Sequence, residues 1–268
     1  MSSGRLTIAT CQFEVGDDIS ANAAAIRRQM RAARRRGAEI VHFSECALSG
    51  YAGAQFPSFD GYPWRLLADE TERIRELSAE LGLWTILGST HRRPRGKPTN
   101  CLYLIGPDGR VVKRYEKCFL MPGDRRHYAP GNSVVSHEVN GVRFGLLICF
   151  DFRFPELWRE YLKRRCRLIF FSSYQSSPRR NRLMETVAPA TLTTRAAENF
   201  FYVAANNTSR THQWYNTRIH LPDGSVARQA PWNRPAVVVY TVDLANDEQF
   251  YNPIGRLALR AARGILHS

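Results

Sequence analysis

The sequence predicts an α/β fold built from two similar halves packed sheet on sheet, and three observations lead there. Short apolar runs alternate along the chain with stretches of helical periodicity. The strand-like runs are apolar almost without interruption, as in VRFGLLICF (142–150) and RLIFFSS (167–173), the pattern of strands covered on both faces. The alternation of the first half recurs in the second, with no linker, low-complexity segment or short repeat between them. Residues 1–268 therefore read as one domain.

Each element has its own signal. RLTIATCQF (5–13) reads as a strand, followed by an amphipathic helix over 19–36 with Asp18 or Ser20 as N-cap and Gly37 just past its end. EIVHFSE (39–45) is a second strand, leading into a loop around SGYAG. A second helix runs over 63–81 and stops at Gly82. WTILGST (84–90) and NCLYLIG (100–106) are strands, and the turn GPDG (106–109) leads into RVVKRYE. In the second half VRFGLLICF is a strand, and Pro155 occupies the first position of a helix running to about Arg165. RLIFFSS follows as a strand. Pro189 then predicts a break, with a fresh helix over 190–199, because proline removes a helical N–H and clashes with the preceding turn. FFYVAANN (200–207) is a strand, TRIHL and VARQA flank the turn PDGS (222–225), and AVVVYTVDL (236–244) is the last strand. The tail after Asn252 reads as irregular, then weakly helical.

Composition excludes several classes. With 268 residues, 44% hydrophobic and 23% charged, the chain can bury a core without disulfides or a structural metal. No apolar run approaches the roughly 18 residues a membrane helix needs, and no secretory signal opens the chain, so a cytoplasmic protein is expected. The net charge of +14 suggests nucleic acid, but only four basic residues are lysines (Lys97, Lys113, Lys117, Lys163) and the other 34 of 38 are arginines. The densest runs, RRQMRAARRR and KRRCR, fall at the ends of predicted helices, where cations face water and favour the dipole. No nucleic-acid partner is expected. Cys11, Cys46, Cys101, Cys118, Cys149 and Cys166 form no CxxC pair and have no histidine at zinc-ligand spacing, so reduced thiols and no metal site are expected.

The chemistry narrows by elimination and then by position. GxSxG, GxGxxG, HExxH and EF-hand patterns are absent, and Pro98 follows Gly96–Lys97 where a phosphate loop needs Ser or Thr. Cys149 ends the strand GLLIC just before the helix that Pro155 opens, which presents its side chain at the carboxyl end of a strand, where open α/β sheets bind ligands. A thiol nucleophile needs a proton acceptor and a nearby cation. Glu45 closes IVHFSE and Lys117 closes VVKRYEK, at comparable strand ends. The alternatives are a buried structural cysteine and a salt bridge from Glu45 to one of the many arginines.

The chain resembles the nitrilase, or carbon–nitrogen hydrolase, superfamily over essentially its whole length. The resemblance rests on FSECALSGY (43–51), NCLYLIGPDGRVVKRYEKCFL (100–120), APGN (129–132), GLLICFDFRFPEL (145–157) and TRAAENFFYVAANN (194–207), in that order. It implies a four-layer α-β-β-α sandwich and a Glu–Lys–Cys triad, which falls on Glu45, Lys117 and Cys149. Cys149 would attack an amide carbon, Glu45 would move the proton, and Lys117 with the backbone N–H of Phe150 would stabilise the oxyanion, through a thioester intermediate. The resemblance also implies a second active-site glutamate six residues before Pro130. This chain has Asp124 there, one methylene shorter, which would hold Lys117 and position substrate. Cys46 stands where the family usually has proline.

The implied activity is hydrolysis of a small non-peptide amide or N-carbamoyl compound, by a homodimer or larger assembly without metal or organic cofactor. A nitrilase, or a non-catalytic binding or scaffold protein, are the alternatives. Tyr51, Tyr174 and Gln175 are candidate substrate contacts, with core packing the alternative for Tyr51. Arg153 with Glu156 reads as a structural ion pair, and Glu198 and Asn199 at the helix end read as structural. Arg179, Arg180 and Arg182 read as solvated surface, or as a source of bidentate pairing with a substrate carboxylate.

Overall fold

The computed structural model describes residues 4–245 and 248–266, the last segment as backbone alone over 248–253. Two six-stranded sheets face each other. The first contains β1 (Arg5–Gln12), β2 (Ile40–Phe43), β3 (Trp84–His91), β4 (Thr99–Ile105), β5 (Val111–Glu116) and β12 (Ala236–Asp243), in the order β12-β1-β2-β3-β4-β5. The second contains β6 (Ser136–Val139), β7 (Val142–Ile148), β8 (Leu168–Ser172), β9 (Tyr202–Asn206), β10 (Arg218–His220) and β11 (Val226–Gln229), in the order β11-β10-β9-β8-β7-β6. The central neighbours of both sheets (β1–β2–β3 and β7–β8–β9) run parallel, and their flanks are antiparallel.

Alternation along the strands sorts side chains into layers. Leu6, Ile8, Ile40, Ile86 and Leu104 of the first sheet share one buried cluster with Leu146, Leu168, Phe170 and Ala204 of the second. The intervening residues Ala9, Cys11, Val41, Phe43 and Leu87 instead pack with α1 (Ile19–Arg35) and α2 (Trp64–Leu81). On the opposite side, α3 (Pro155–Lys163) buries Trp158, Tyr161 and Leu162, and α4 (Arg182–Asn199) buries Ala188, Leu192 and Ala196. The result is the α-β-β-α sandwich. Local signals behave as predicted at several ends. Asp18 caps α1 by accepting from the N–H groups of Ser20 (2.8 Å) and Ala21 (3.1 Å), which decides between the two N-cap candidates, and Gly82 closes α2 in the left-handed region.

Three expectations fail. α4 runs unbroken through Pro189. Ala188, Leu192 and Ala196, four residues apart, form one buried row on both sides of the proline, and packing that row outweighs one lost intrahelical bond. The tail is helical already from Glu248, as α5 (Glu248–Ala262), because Ala258, Leu259 and Ala262 pack against the core. Strand β6 has no counterpart in the sequence reading. It is a polar edge strand, SHEV, without the apolar run that marks the others.

Candidate active site

Three chain ends meet at one cavity. β2 ends at Phe43, and the turn after it carries Glu45. β3 passes directly beneath that turn: a Cβ on Gly88 would lie 1.8 Å from the Ser44 carbonyl oxygen, so only glycine fits. β5 ends at Glu116, next to Lys117. β7 ends at Ile148, and Cys149 begins a one-turn helix over Cys149–Arg153 with its own φ at +45°, a left-handed conformation that is costly for a side chain bearing Cβ. The sharp turn expected there is this elbow. Phe150 lies in its first turn, where N–H groups have no preceding helical carbonyl to bond.

Asp151 ties the elbow to the lysine strand. Its carboxylate accepts from the Phe119 N–H (2.8 Å), the Tyr115 hydroxyl (2.7 Å) and the Ile148 N–H (3.3 Å). Lys117 and Cys149 are thereby anchored to the same buried group.

The Lys117 ammonium is buried and donates to Glu45 Oε1 (2.8 Å), to Asp124 Oδ2 (2.8 Å) and, at longer range, to Tyr51 Oη (3.3 Å). Burial alone would lower its pKa, but the charges of Glu45 and Asp124 and its other neighbours raise it well above the usual lysine value. A raised lysine pKa keeps the ammonium's stabilising contribution complete below the unfolded value, and it is lost only above the folded one. The cation is constant at neutral pH. Tyr51 donates to Asp124 Oδ1 (2.6 Å), and Met121 N–H donates to Asp124 Oδ2 (3.2 Å). The shorter carboxylate therefore still reaches the lysine.

Glu45 is fully buried, and both of its oxygens are occupied. Asn100 Nδ2 donates to Oε1 (2.7 Å) alongside Lys117, and the Tyr174 N–H donates to Oε2 (2.9 Å). Its partner is a lysine, not an arginine. Burial pushes the Cys149 thiol well up, and the Glu45 charge, with a hydrogen bond to that carboxylate, pushes it in the same direction against the opposing pull of Lys117. The resting sulfur is thus a neutral thiol beside an acceptor. Gln175 Nε2 lies 3.9 Å from Cys149 Sγ.

A cavity of about 580 Å³ opens onto Cys149, lined among others by Tyr51, Asp124, Phe150, Tyr174 and Gln175, while Glu45 and Lys117 are buried behind its lining. The structure therefore brings together every singled-out catalytic, supporting and substrate-contact candidate. One arginine reading holds and one changes. Arg179, Arg180 and Arg182 line a separate surface depression, and Arg180 pairs with Glu185 (2.9 Å). The arginines that line the cavity are Arg126 and Arg153, with His127 beside them. Arg153 forms no ion pair with Glu156. Its guanidinium lies over the Phe152 ring (5.7 Å) and against Met184 Sδ (3.5 Å), because Glu156 points to solvent. Glu198 pairs with Arg195 (2.7 Å), and Asn199 Nδ2 donates to the Arg195 carbonyl (2.9 Å), as structural groups. Sequence reasoning missed Asn100, whose signal was a lone amide inside an apolar strand.

A family model described as carbon-nitrogen hydrolase matches residues 7–251. The chain is similar to omega-amidase NIT2 of Homo sapiens, 28% identical over 261 residues that cover 91% of this chain and 90% of that one. Among solved structures, the NitFhit protein of C. elegans superimposes with a TM-score of 0.85 at 25% identity, covering 100% of this chain and 67% of that one. An amidase of the nitrilase superfamily from Nesterenkonia AN1 superimposes with a TM-score of 0.79 at 20% identity, over 96% and 98% of the two chains.

Proposed function

The chain belongs to the carbon–nitrogen hydrolase family and is an enzyme of that kind, and we propose that it hydrolyses a small non-peptide amide through a thioester on Cys149. What supports this reading is a thiol that lines the cavity with a paired carboxylate and ammonium buried beside it. The Cys149 sulfur adds to the amide carbon as Glu45 takes the thiol proton. Lys117 and the Phe150 N–H stabilise the oxyanion, which displaces the long Lys117–Tyr51 contact in preference to either carboxylate. Glu45 then delivers its proton to the departing nitrogen, and ammonia leaves. Water, deprotonated by Glu45, attacks the thioester and releases the acid, returning the proton to sulfur. Asp124 holds the ammonium, and Tyr51, Tyr174 and Gln175 shape the acyl pocket. The same reading places one catalytic domain on the chain, in a cytoplasmic homodimer or larger assembly.

The mouth of the cavity favours an acyl half that carries a carboxylate. Arg126 and Arg153 are exposed there, and among the described residues neither has an acidic partner. Ammonia release from glutaramate and from valeramide, amides of equal carbon count with and without a terminal carboxylate, tests this directly. The expected kcat/KM ratio is at least about tenfold in favour of glutaramate, the worth of one charge-assisted contact at an exposed site. Arg126→Ala and Arg153→Ala should raise KM for glutaramate and leave valeramide unchanged. Equal rates for the two amides would remove the carboxylate preference, and no ammonia from either would count against amide hydrolysis itself.

A further inference from the structure

Along β1, β2, β8 and β9 the layer between the two sheets changes from apolar to polar toward the active-site end. At one inward position the side chains are Ile8 and Ile40, register partners in the first sheet, and Phe170 and Ala204, register partners in the second. At the next inward position the same four strands present Thr10, His42, Ser172 and Asn206, all with 0% exposure. Four buried polar side chains cost stability unless they are paired. Each of the four has a partner, Asn206 through its Nδ2 while its Oδ1 has none among the described residues, and the bonds cross between the sheets. Asn206 Nδ2 donates to Thr10 Oγ1 (2.9 Å), Thr10 Oγ1 meets His42 Nδ1 (3.1 Å), His42 Nε2 meets Ser172 Oγ (2.7 Å), and Ser172 Oγ donates to the Phe43 carbonyl (2.9 Å).

The proton positions follow from the chain of bonds. Ser172 spends its only proton on the Phe43 carbonyl, so His42 Nε2 must donate to it. His42 Nδ1 then accepts from the Thr10 hydroxyl, which in turn accepts from Asn206. Burial pushes the His42 pKa down to about 3, so the ring stays neutral and this tautomer persists at working pH.

The location of the network suggests its use. Phe43 lies two residues before Glu45, and Ser172 lies two residues before Tyr174, whose N–H fixes Glu45 Oε2. The His42–Ser172 and Ser172–Phe43 bonds cross-link β2 and β8, which belong to different sheets, and the Tyr174–Glu45 bond continues the series between the segments that directly follow them. We propose that His42, in its neutral Nε2–H form, is a positioning residue. Through Ser172 it sets the gap between the sheets at the one level where the Glu45 carboxylate must meet the Tyr174 N–H on one side and the Cys149 thiol on the other. The proposal rests on Glu45 acting as the proton carrier.

The test uses His42→Leu, His42→Gln, Ser172→Ala and Glu45→Gln in the full chain, with glutaramate or valeramide as substrate and a urea unfolding curve on each sample. Leucine fills the site without polar atoms, so His42→Leu should stay folded. Its kcat should fall about 10- to 100-fold, the cost of a sub-ångström to ångström misplacement of a reacting group, while KM changes less than about twofold. His42→Gln, whose amide nitrogen can still donate to Ser172 and whose oxygen can accept from Thr10, should recover part of kcat. Ser172→Ala should behave like His42→Leu, and it decides the matter if the leucine variant does not fold. A folded His42→Leu or Ser172→Ala enzyme with wild-type kcat, or a loss matched by KM or by the unfolded fraction, overturns the proposal. Glu45→Gln separates the two readings. If it turns over normally, Glu45 is not the proton carrier and the underlying mechanism fails. If it is inactive while His42→Leu is fully active, the positioning role alone fails.

Discussion

Cys149→Ala is expected to abolish turnover, with a loss of at least about 10³-fold, and to leave the unfolding midpoint nearly unchanged. The size of the loss follows from the arrangement. With the sulfur gone, no atom remains at the elbow that can form an acyl bond, and the surrounding donors can only bind substrate and polarise its carbonyl. The small effect on stability follows from burial. Cys149 is half-buried and keeps its Cβ in the variant, so the strained φ is carried equally by both proteins and little packing is lost. Ammonia release measured beside a denaturant curve checks both halves. Residual activity of a few per cent would place the nucleophile elsewhere; Cys46, which shares a left-handed φ beside Glu45, is fully buried, and Cys149 alone of the six thiols lines the cavity.

Lys117→Met has a different signature, because it removes the cation from between two carboxylates. Glu45 and Asp124 both place an oxygen 2.8 Å from the ammonium, and the lysine side chain is fully buried. Breaking a buried ion pair from one side typically costs about 3–5 kcal/mol, since the remaining charge is left uncompensated. The cost depends on pH with a definite sign. At neutral pH the variant must bury two facing carboxylates or bind a proton that the unfolded chain does not hold, so destabilisation is greatest there. As the pH falls toward the range where the unfolded carboxyls also take up protons, the two states converge and the penalty shrinks. Urea unfolding of wild type and variant at pH 7 and pH 4 measures this directly. A penalty independent of pH would mean that Lys117 contributes packing and little charge. Turnover should fall by at least about 10²-fold at any pH, through loss of the oxyanion's cation.

The catalytic candidates were legible because each stands at the carboxyl end of a strand, apolar before Glu45 and Cys149 and mixed before Lys117. A carboxylate after IVHFS, a lysine after VVKRYE and a cysteine after GLLI are placed by the same rule, and with four lysines in the chain Lys117 had few rivals. Convergence was not legible from that rule, since Glu45 and Lys117 stand 72 residues apart, after β2 and β5 of one sheet, and Cys149 follows β7 of the sheet that faces it. Asn100 and His42 were invisible for a related reason. A single polar residue in a strand carries no periodic signal, and its role appears only once the fold supplies its partner, Glu45 after β2 of the same sheet for Asn100 and Ser172 on the opposing sheet for His42. Arg179, Arg180 and Arg182 lie on the surface, the first of the two readings the sequence offered, whereas Arg126 was not singled out. It reaches the cavity because the short helix Asp124–Arg126 turns Asp124 inward onto Lys117 and leaves the residues beside it along the cavity wall. Pro189 misled because a local rule about one N–H was applied to a helix held by a long buried row.

The most direct test of the account is the intact mass of the protein quenched in acid during turnover of glutaramate. The account predicts a fraction of molecules heavier by the mass of the substrate less one ammonia, with the adduct mapping by peptide fragmentation to Cys149 and absent from Cys149→Ala. Rapid ammonia release with no adduct at any quench time, or an adduct on another residue, would contradict it.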